Sequence, residues 1–384
     1  MASVFPVPGY VSDNRRSLVR IDGYLILSTV LLIVVGLMSL YSQSQTVGIV
    51  APWFKKQLVN VGIGLVPFAL FAWVHPKFWR RIASGLYAVT ISLLLLVFVH
   101  GKHTKGAGRW IPIGSVQFQP SELAKILTVI TLAAFYTARQ DRIDRPSTMF
   151  LGLAHALVPT TLILLQPHLG ASLVMLVMWF AVSLVAGIPL KNLGALCAGI
   201  LAFFTIVIAV PQIRTHIVHD YQWVRILELI EGKKDKIDKK GDNYQANQAE
   251  IAFADGGLSG SGFLRGEQKG YVPEQQNDFI FTVIGEEGGL IGCTLVLLSY
   301  AFFFYRIWLT MVQSVDPNTK MIAGGIFAIL GFHTFVNIAM VLQMLPVVGL
   351  WLPFLSYGGT AMWLCMACVG LMVGVQRREK PILF

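Results

Sequence analysis

The residues best placed to do chemistry gather where a polar loop meets an apolar run, in PEQQNDFIFTVIGEEGG from Pro273 to Gly289, with Asp278 at the junction. A carboxylate there sits at the mouth of a membrane helix, between water and lipid, where an enzyme acting on a lipid-linked polar substrate needs a base. The same residue also suits a plain helix N-cap, whose oxygen accepts from orphan N–H groups and whose charge complements the helix dipole. Spacing alone favours the cap.

Other charged groups carry similar pairs of readings. Glu122 and Lys125 are three apart and share one face of a helix. They form either an ion pair at a span end, or a site in which Lys125 meets an anionic substrate group while Glu122 orients it. Arg109 beside Trp110 offers a cation and an aromatic platform to phosphate or sugar, or an interfacial anchor. Arg225, in the patterned stretch YQWVRILELIEG, is a fixed cation able to grip a phosphate bidentately. The KKDKIDKK run that follows, Lys233 to Lys240, reads as a solvated turn. Glu286 and Glu287 fall inside an apolar run and are either a structural polar cluster or a cavity wall. His168 is expected as a surface histidine at a short turn. The glycines from Gly256 to Gly262 lack the strand and the Gly-Lys-Ser/Thr ending of a phosphate loop, so flexibility or close backbone approach is the better reading.

No Cys, His and carboxylate constellation suggests a dedicated structural metal, although Mg²⁺ or Mn²⁺ could arrive with a diphosphate. The four cysteines, Cys197, Cys293, Cys365 and Cys368, all lie in apolar runs and read as small core residues.

The elements that must position these groups are membrane spans. Of 384 residues, 55% are hydrophobic and only 13% charged, and the mean hydropathy is +0.65, against about 25% charge in a soluble domain. Apolar runs near 22–42, 56–74, 82–100, 121–138, 148–166, 170–187, 190–210, 278–305, 319–345 and 352–375 are each near the length a bilayer requires. The expectation is an all-α polytopic membrane protein of about ten helices, one domain over residues 1–384, with a large extracytoplasmic loop at 211–277 between the seventh and eighth spans. The start of the chain shows no removable signal peptide. Placing both termini in the cytoplasm puts Arg80, Arg81, Arg139, Arg142, Arg145, Lys191 and Arg306 inside, in accord with the positive-inside rule. The net charge of +10 is thereby explained by topology and anionic lipid, with no nucleic acid as partner. Two outer segments are too patterned to be plain connectors: His100 to Pro120, and Pro211 to Asn277, read as an amphipathic helix followed by a re-entrant or hairpin-like loop.

Five separated motifs carry a resemblance over nearly the whole chain: GAGRWIPIG…QPSELAK, the Tyr221-Gln222…Arg225 set, YQANQAEIAFADGGLSGSGF, PEQQNDFIFTVIGEE and LPFLSYGGT. Together they resemble the SEDS family, the RodA and FtsW peptidoglycan glycosyltransferases. The resemblance implies a ten-span enzyme of the cytoplasmic membrane that polymerises lipid II on the outer face beside a class B penicillin-binding protein. It places the catalytic aspartate on Asp278 and substrate-binding residues on Arg109, Trp110, Glu122, Lys125, Arg225 and Ser356. Where the family reads Gln-Pro-Asp-Leu-Gly this chain has His168, so one expected carboxylate is missing, and Asn277 and Trp351 replace a usual Thr and Pro.

Transfer from a polyprenyl-diphosphate sugar needs a base for the acceptor hydroxyl, while the diphosphate leaves as a stable anion and needs cations rather than a general acid. One carboxylate with basic groups suffices. A lipid II transporter is the rival class, but it should hold its essential charges near mid-bilayer, whereas Asp278, Arg109, Lys125 and Arg225 map to the outer boundary. A catalytically idle scaffold is a third reading, against which the presence of Asp278 argues. The Ile284–Glu287 form and short termini lean to an elongation role like that of RodA over the division role of FtsW.

Overall fold

The computed structural model describes residues 22–45, 52–100, 102–104, 107–113, 116–209, 242–269 and 271–377. Arg225, its patterned stretch and the Lys233–Lys240 run lie outside them.

Each of the ten apolar runs forms a long helix: α1 (Gly23–Gln45), α2 (Pro52–Trp73), α4 (Ala83–His100), α5 (Pro120–Thr137), α6 (Pro146–Leu165), α7 (Leu169–Ala186), α8 (Leu190–Ala209), α10 (Ile280–Gln313), α11 (Pro317–Val341) and α12 (Gly359–Gln376). Among the described residues two shorter α-helices, α3 (Pro76–Arg81) and α9 (Asp242–Gly256), lie between them. Seven of the ten are long and apolar enough to cross a bilayer unaided, and α4 and α8 carry shorter apolar stretches. The tenth is α5, whose first turns hold Ser121, Glu122, Lys125 and Thr128. Its polarity is affordable because it runs through the centre, packed on α4, α6, α7, α11 and α12, with nearly every side chain buried.

Local sequence sets the helix ends. Pro120, Pro146 and Pro317 each open a helix, where a missing N–H costs nothing. Gly187, at φ +93°, closes α7 in the left-handed conformation. The tightest pairing joins α12 to α2: a Cβ on Gly370 would lie 2.3 Å from the Phe68 carbonyl oxygen, and one on Gly374 would lie 2.4 Å from that of Phe71. This is the small-xxx-small contact that lets membrane helices approach backbone to backbone.

Three departures from the sequence reading have clear causes. The last span begins at Gly359 rather than near 352, because Leu352–Gly358 folds as a loop in which the Ser356 hydroxyl accepts from the Leu352 N–H at 2.7 Å. Between α4 and α5 the described residues form a small antiparallel sheet in the order β1 (Lys102–Thr104), β2 (Ala107–Ile113), β3 (Val116–Phe118), rather than a plain connector, within an otherwise helical fold. Third, α10 is 34 residues long, or about 51 Å at 1.5 Å per residue, but is broken at Gly289, where φ is +60° and ψ −160°.

That break receives the segment 257–262 that follows α9. The N–H groups of Ser261 and Gly262 donate to the carbonyls of Glu286 and Glu287 at 2.9 and 3.1 Å, and Leu290 and Ile291 donate back to Gly257 and Leu258 at 2.9 and 3.2 Å. A Cβ on Gly260 would lie 2.0 Å from the Glu287 carbonyl oxygen, so the glycines serve backbone approach to α10. Glu286 accepts from the Gln268 N–H at 2.7 Å, while Glu287 pairs with Lys269 and accepts from Ser42. The two intramembrane acids are thus the polar clamp of this segment.

Candidate active site

Asp278 lies at the end of a loop fastened at several points. The Asn277 side-chain amide donates to the Glu274 carboxylate at 2.7 Å, the Asp278 N–H to the Glu274 carbonyl at 3.2 Å, and the Gln275 side chain reaches forward to the Thr282 hydroxyl at 2.9 Å. The Tyr357 N–H donates to the Gln276 carbonyl at 2.8 Å, which ties this loop to the one before α12. Asp278 itself stands one residue ahead of Phe279, the N-cap of α10. Its side chain is half-buried and lies against Gly349: a Cβ on that glycine, whose φ is +67°, would come within 3.5 Å of Oδ2.

Asn337 of α11 fixes both loops at once. Its amide nitrogen donates to the carbonyls of Asp278 at 2.7 Å and Leu350 at 2.6 Å. The next residue, Trp351, stacks on the His333 ring with centroids 4.0 Å apart. Its ring also lies 5.4 Å from the Lys125 ammonium.

Lys125 is the buried centre of this second cluster. Its ammonium bonds both carboxylate oxygens of Glu122, at 2.9 and 3.0 Å, and faces His333 Nε2 at 2.9 Å. An ammonium has three donors, so none is left for a phosphate in this state. Both side chains of the pair are essentially inaccessible, 0% and 2% exposed. The ion-pair geometry is therefore what the structure presents, placed inside the bundle and completed by a histidine from α11.

Arg109 and His168 border the same region. The Arg109 guanidinium donates to the Gln166 carbonyl at 3.0 Å and to the Pro167 carbonyl, holding β2 against the α6–α7 turn. His168 is not at the surface as expected: it is only 9% exposed, with Nδ1 3.3 Å from the Gln119 amide nitrogen. The α6–α7 turn is covered because the loop before α12 packs onto it, Leu350 and Val348 closing over Gly170. Burial, helped by the nearby Lys125 and Arg109 charges, pushes the His168 pKa down from 6.5 to about 3, so the ring is neutral.

The starts of α5, α7, α10 and α12 and the end of α11 therefore meet at one end of the bundle. They bring together Asp278, Glu122, Lys125, Arg109, His168 and Trp351. Ser356 is buried; its hydroxyl accepts from the Leu352 N–H within its own loop and its carbonyl accepts from Gln57 at 3.2 Å. Trp110 is partly buried on β2 beside Arg109, and successive strand residues point to opposite faces. His333 and Asn337 were missed in the sequence reading, although a histidine and an asparagine inside an apolar run are the signal to look for. Among the described residues no three His, Cys, Asp or Glu side chains gather to hold a metal ion.

Comparison with known proteins agrees with this architecture. Residues 20–381 match the FtsW/RodA/SpoVE family, described as cell cycle protein. The chain is 33% identical over 370 residues to the peptidoglycan glycosyltransferase MrdB of Escherichia coli K12, covering 95% of each. It is 32% identical over 376 residues to a probable peptidoglycan glycosyltransferase FtsW of Geobacter sulfurreducens, covering 96% of this chain and 98% of that one. Among solved structures, a chain of a peptidoglycan synthase complex described as coordinating polymerization and crosslinking superposes with a TM-score of 0.77 at 28% identity, over 93% of this chain and 98% of that one. The rod shape determining protein RodA of Thermus thermophilus superposes with a TM-score of 0.68 at 26% identity, over 93% and 97%. The fold is that of a multi-pass helical membrane protein. The chain belongs to the FtsW/RodA/SpoVE family.

Proposed function

We propose that this protein is a peptidoglycan glycosyltransferase that polymerises lipid II into glycan strands, with a RodA-like role in cell elongation. The observation that carries the reading is the placement of Asp278, half-buried and backbone-tethered through Asn337 at the end of the bundle where five helix ends meet. The family relationship supports the reaction, and this geometry supports Asp278 as its base.

In the proposed step Asp278 takes the proton of the acceptor sugar hydroxyl as its oxygen attacks the anomeric carbon of the lipid-linked donor. The bond from that carbon to the diphosphate oxygen breaks, and the electron pair leaves on the diphosphate, whose charge is met by cations. Arg109, Trp110 and Arg225 are assigned to the substrate; Glu122 and Lys125 are assigned to it through a state in which their pairing opens. A Mg²⁺ or Mn²⁺ ion would enter with the diphosphate.

Both termini are assigned to the cytoplasm and the Asp278 end to the outer face, on the distribution of arginine and lysine between loops. The partner is assigned as a class B penicillin-binding protein that selects the competent conformation, in which case it raises kcat only through its differential affinity for that state. A division role like that of FtsW is the alternative, since the identity to an FtsW relative, 32%, is nearly that to MrdB, 33%. Depletion separates the two: rounding of cells supports elongation, filamentation supports division.

The assay for the activity is purified protein, with and without the cognate transpeptidase, incubated with lipid II and analysed for glycan polymer. Polymer made by the pair is expected. Its absence, with complex formation verified, would contradict the reading.

A further inference from the structure

Among the described residues an apolar cavity lies away from Asp278, between α6 and α8. It is a groove of about 560 Å³ whose wall is apolar, formed by Met149, Phe150, Ala195, Leu196, Gly199 and Ile200. It is bordered by α8, a helix that packs sparsely, with α7 its main described neighbour. Along α8, among the residues whose side chains are described, only Leu193 is buried. In a bilayer an apolar groove of this size is filled by acyl chain, since water there would have no polar partners.

Its rim decides which lipid. Pro146 and Asn192 mark one end of the groove, and Asn192 reaches the Asp144 carbonyl at 3.5 Å, which fixes the α7–α8 turn beside the turn before α6. Arg145 directly precedes Pro146 and Lys191 directly precedes Asn192, both exposed, with Arg142 one turn back. Among the described residues, none of these three cations is held in an ion pair. Two exposed acids, Asp141 and Asp144, share the turn, so the rim as a whole carries a net positive charge. The first turns of α6 and α8, which both begin at this rim, contain no acid, and their dipoles add to the same sign.

We propose that this groove is a binding site for an anionic glycerophospholipid, one acyl chain lying between α6 and α8 and the phosphate headgroup resting on Arg145 and Lys191. A basic pocket between spans is the setting in which such headgroups are held. Such a lipid supports the otherwise sparsely packed α8, the helix that leads toward the Arg225 segment.

The test is native mass spectrometry and thermal unfolding of the full-length protein in detergent, titrated with phosphatidylglycerol or phosphatidylcholine of the same acyl chains. Three variants accompany it: Arg145→Gln with Lys191→Gln, Gly199→Leu, and Lys55→Gln with Lys56→Gln at the opposite ends of the spans. Nothing lies within 4 Å of a Cβ on Gly199, so a leucine there enters the groove without a clash. Expected are retention and a rise in Tm with phosphatidylglycerol over phosphatidylcholine, about thirtyfold weaker binding after loss of both rim cations, and loss of retained lipid of either type in Gly199→Leu. The Lys55/Lys56 variant should bind as the unaltered protein does. Equal binding of the two lipids, an unchanged preference in the rim variant, or displacement of phosphatidylglycerol by polyprenyl phosphate at equal concentration would each overturn the assignment.

Discussion

The side-chain amide of Asn337 donates to the main-chain carbonyls of Asp278 at 2.7 Å and Leu350 at 2.6 Å, so one residue of α11 sets both the candidate base and the loop that lies over it. Replacing it with leucine leaves two carbonyls without that donor, at a cost of about 1–3 kcal/mol for each that remains buried and unsatisfied. Asn337→Leu should lower Tm modestly and polymerisation by at least about tenfold, because roughly 1.4 kcal/mol of lost positioning is a factor of ten in rate. Paired melts and lipid II assays check it; a lower Tm with undiminished turnover would show that the two loops need no such tie.

Lys125 and Glu122 form a buried pair, 0% and 2% exposed. Lys125→Met strands a buried carboxylate and should cost about 3–5 kcal/mol, whereas the double variant Glu122→Gln with Lys125→Met should cost less than the single one. A double-mutant cycle on Tm measures this coupling. Additive losses would mean that the pair does not act as a unit.

His168 supplies a pH test. Its folded pKa is pushed down to about 3, while the unfolded chain binds the proton near pH 6.5. Below that value the unfolded state holds more protons, so stability is fully present above about pH 6.5 and falls by about 1.4 kcal/mol per pH unit as pH drops toward 3. His168→Gln should keep a polar contact to Gln119 and flatten the decline in Tm between pH 6.5 and 4. An unaltered slope in the variant would place the histidine in contact with solvent.

The partner's role is separable from its own chemistry. A transpeptidase-dead class B penicillin-binding protein should still raise kcat for polymerisation, because selection of a conformation needs binding and not crosslinking. No activation, with the complex verified, would leave an enzyme that works alone.

The spans were legible in the sequence because lipid permits few backbone solutions, and an apolar run near 20 residues has essentially one of them. The Asp278 junction was legible for the same reason: a charge at the edge of such a run stands out. What the runs could not reveal is contact between distant residues. Lys125 meets His333 across 208 positions, and nothing local to either announces the other. Arg109 reads as a cation open to ligand, yet its guanidinium is held by the Gln166 and Pro167 carbonyls. His168 reads as exposed because its neighbours in sequence form a turn, and it is buried by Leu350 and Val348 closing over Gly170. Glu286 and Glu287 could be named as a polar cluster, but their partners, the Gln268 N–H and Lys269, come from a segment whose return to α10 only the fold displays.

The most direct test of the central claim is the turnover of lipid II by purified Asp278→Asn. The amide keeps the size of the side chain, and the Asn337 tether to the main chain does not depend on the carboxylate. The variant should therefore insert in the membrane, melt as the unaltered protein does and bind the partner, yet make no glycan polymer, since an amide cannot accept the hydroxyl proton. Polymer formed at near the unaltered rate by a correctly folded Asp278→Asn would contradict the assignment of Asp278 as the base.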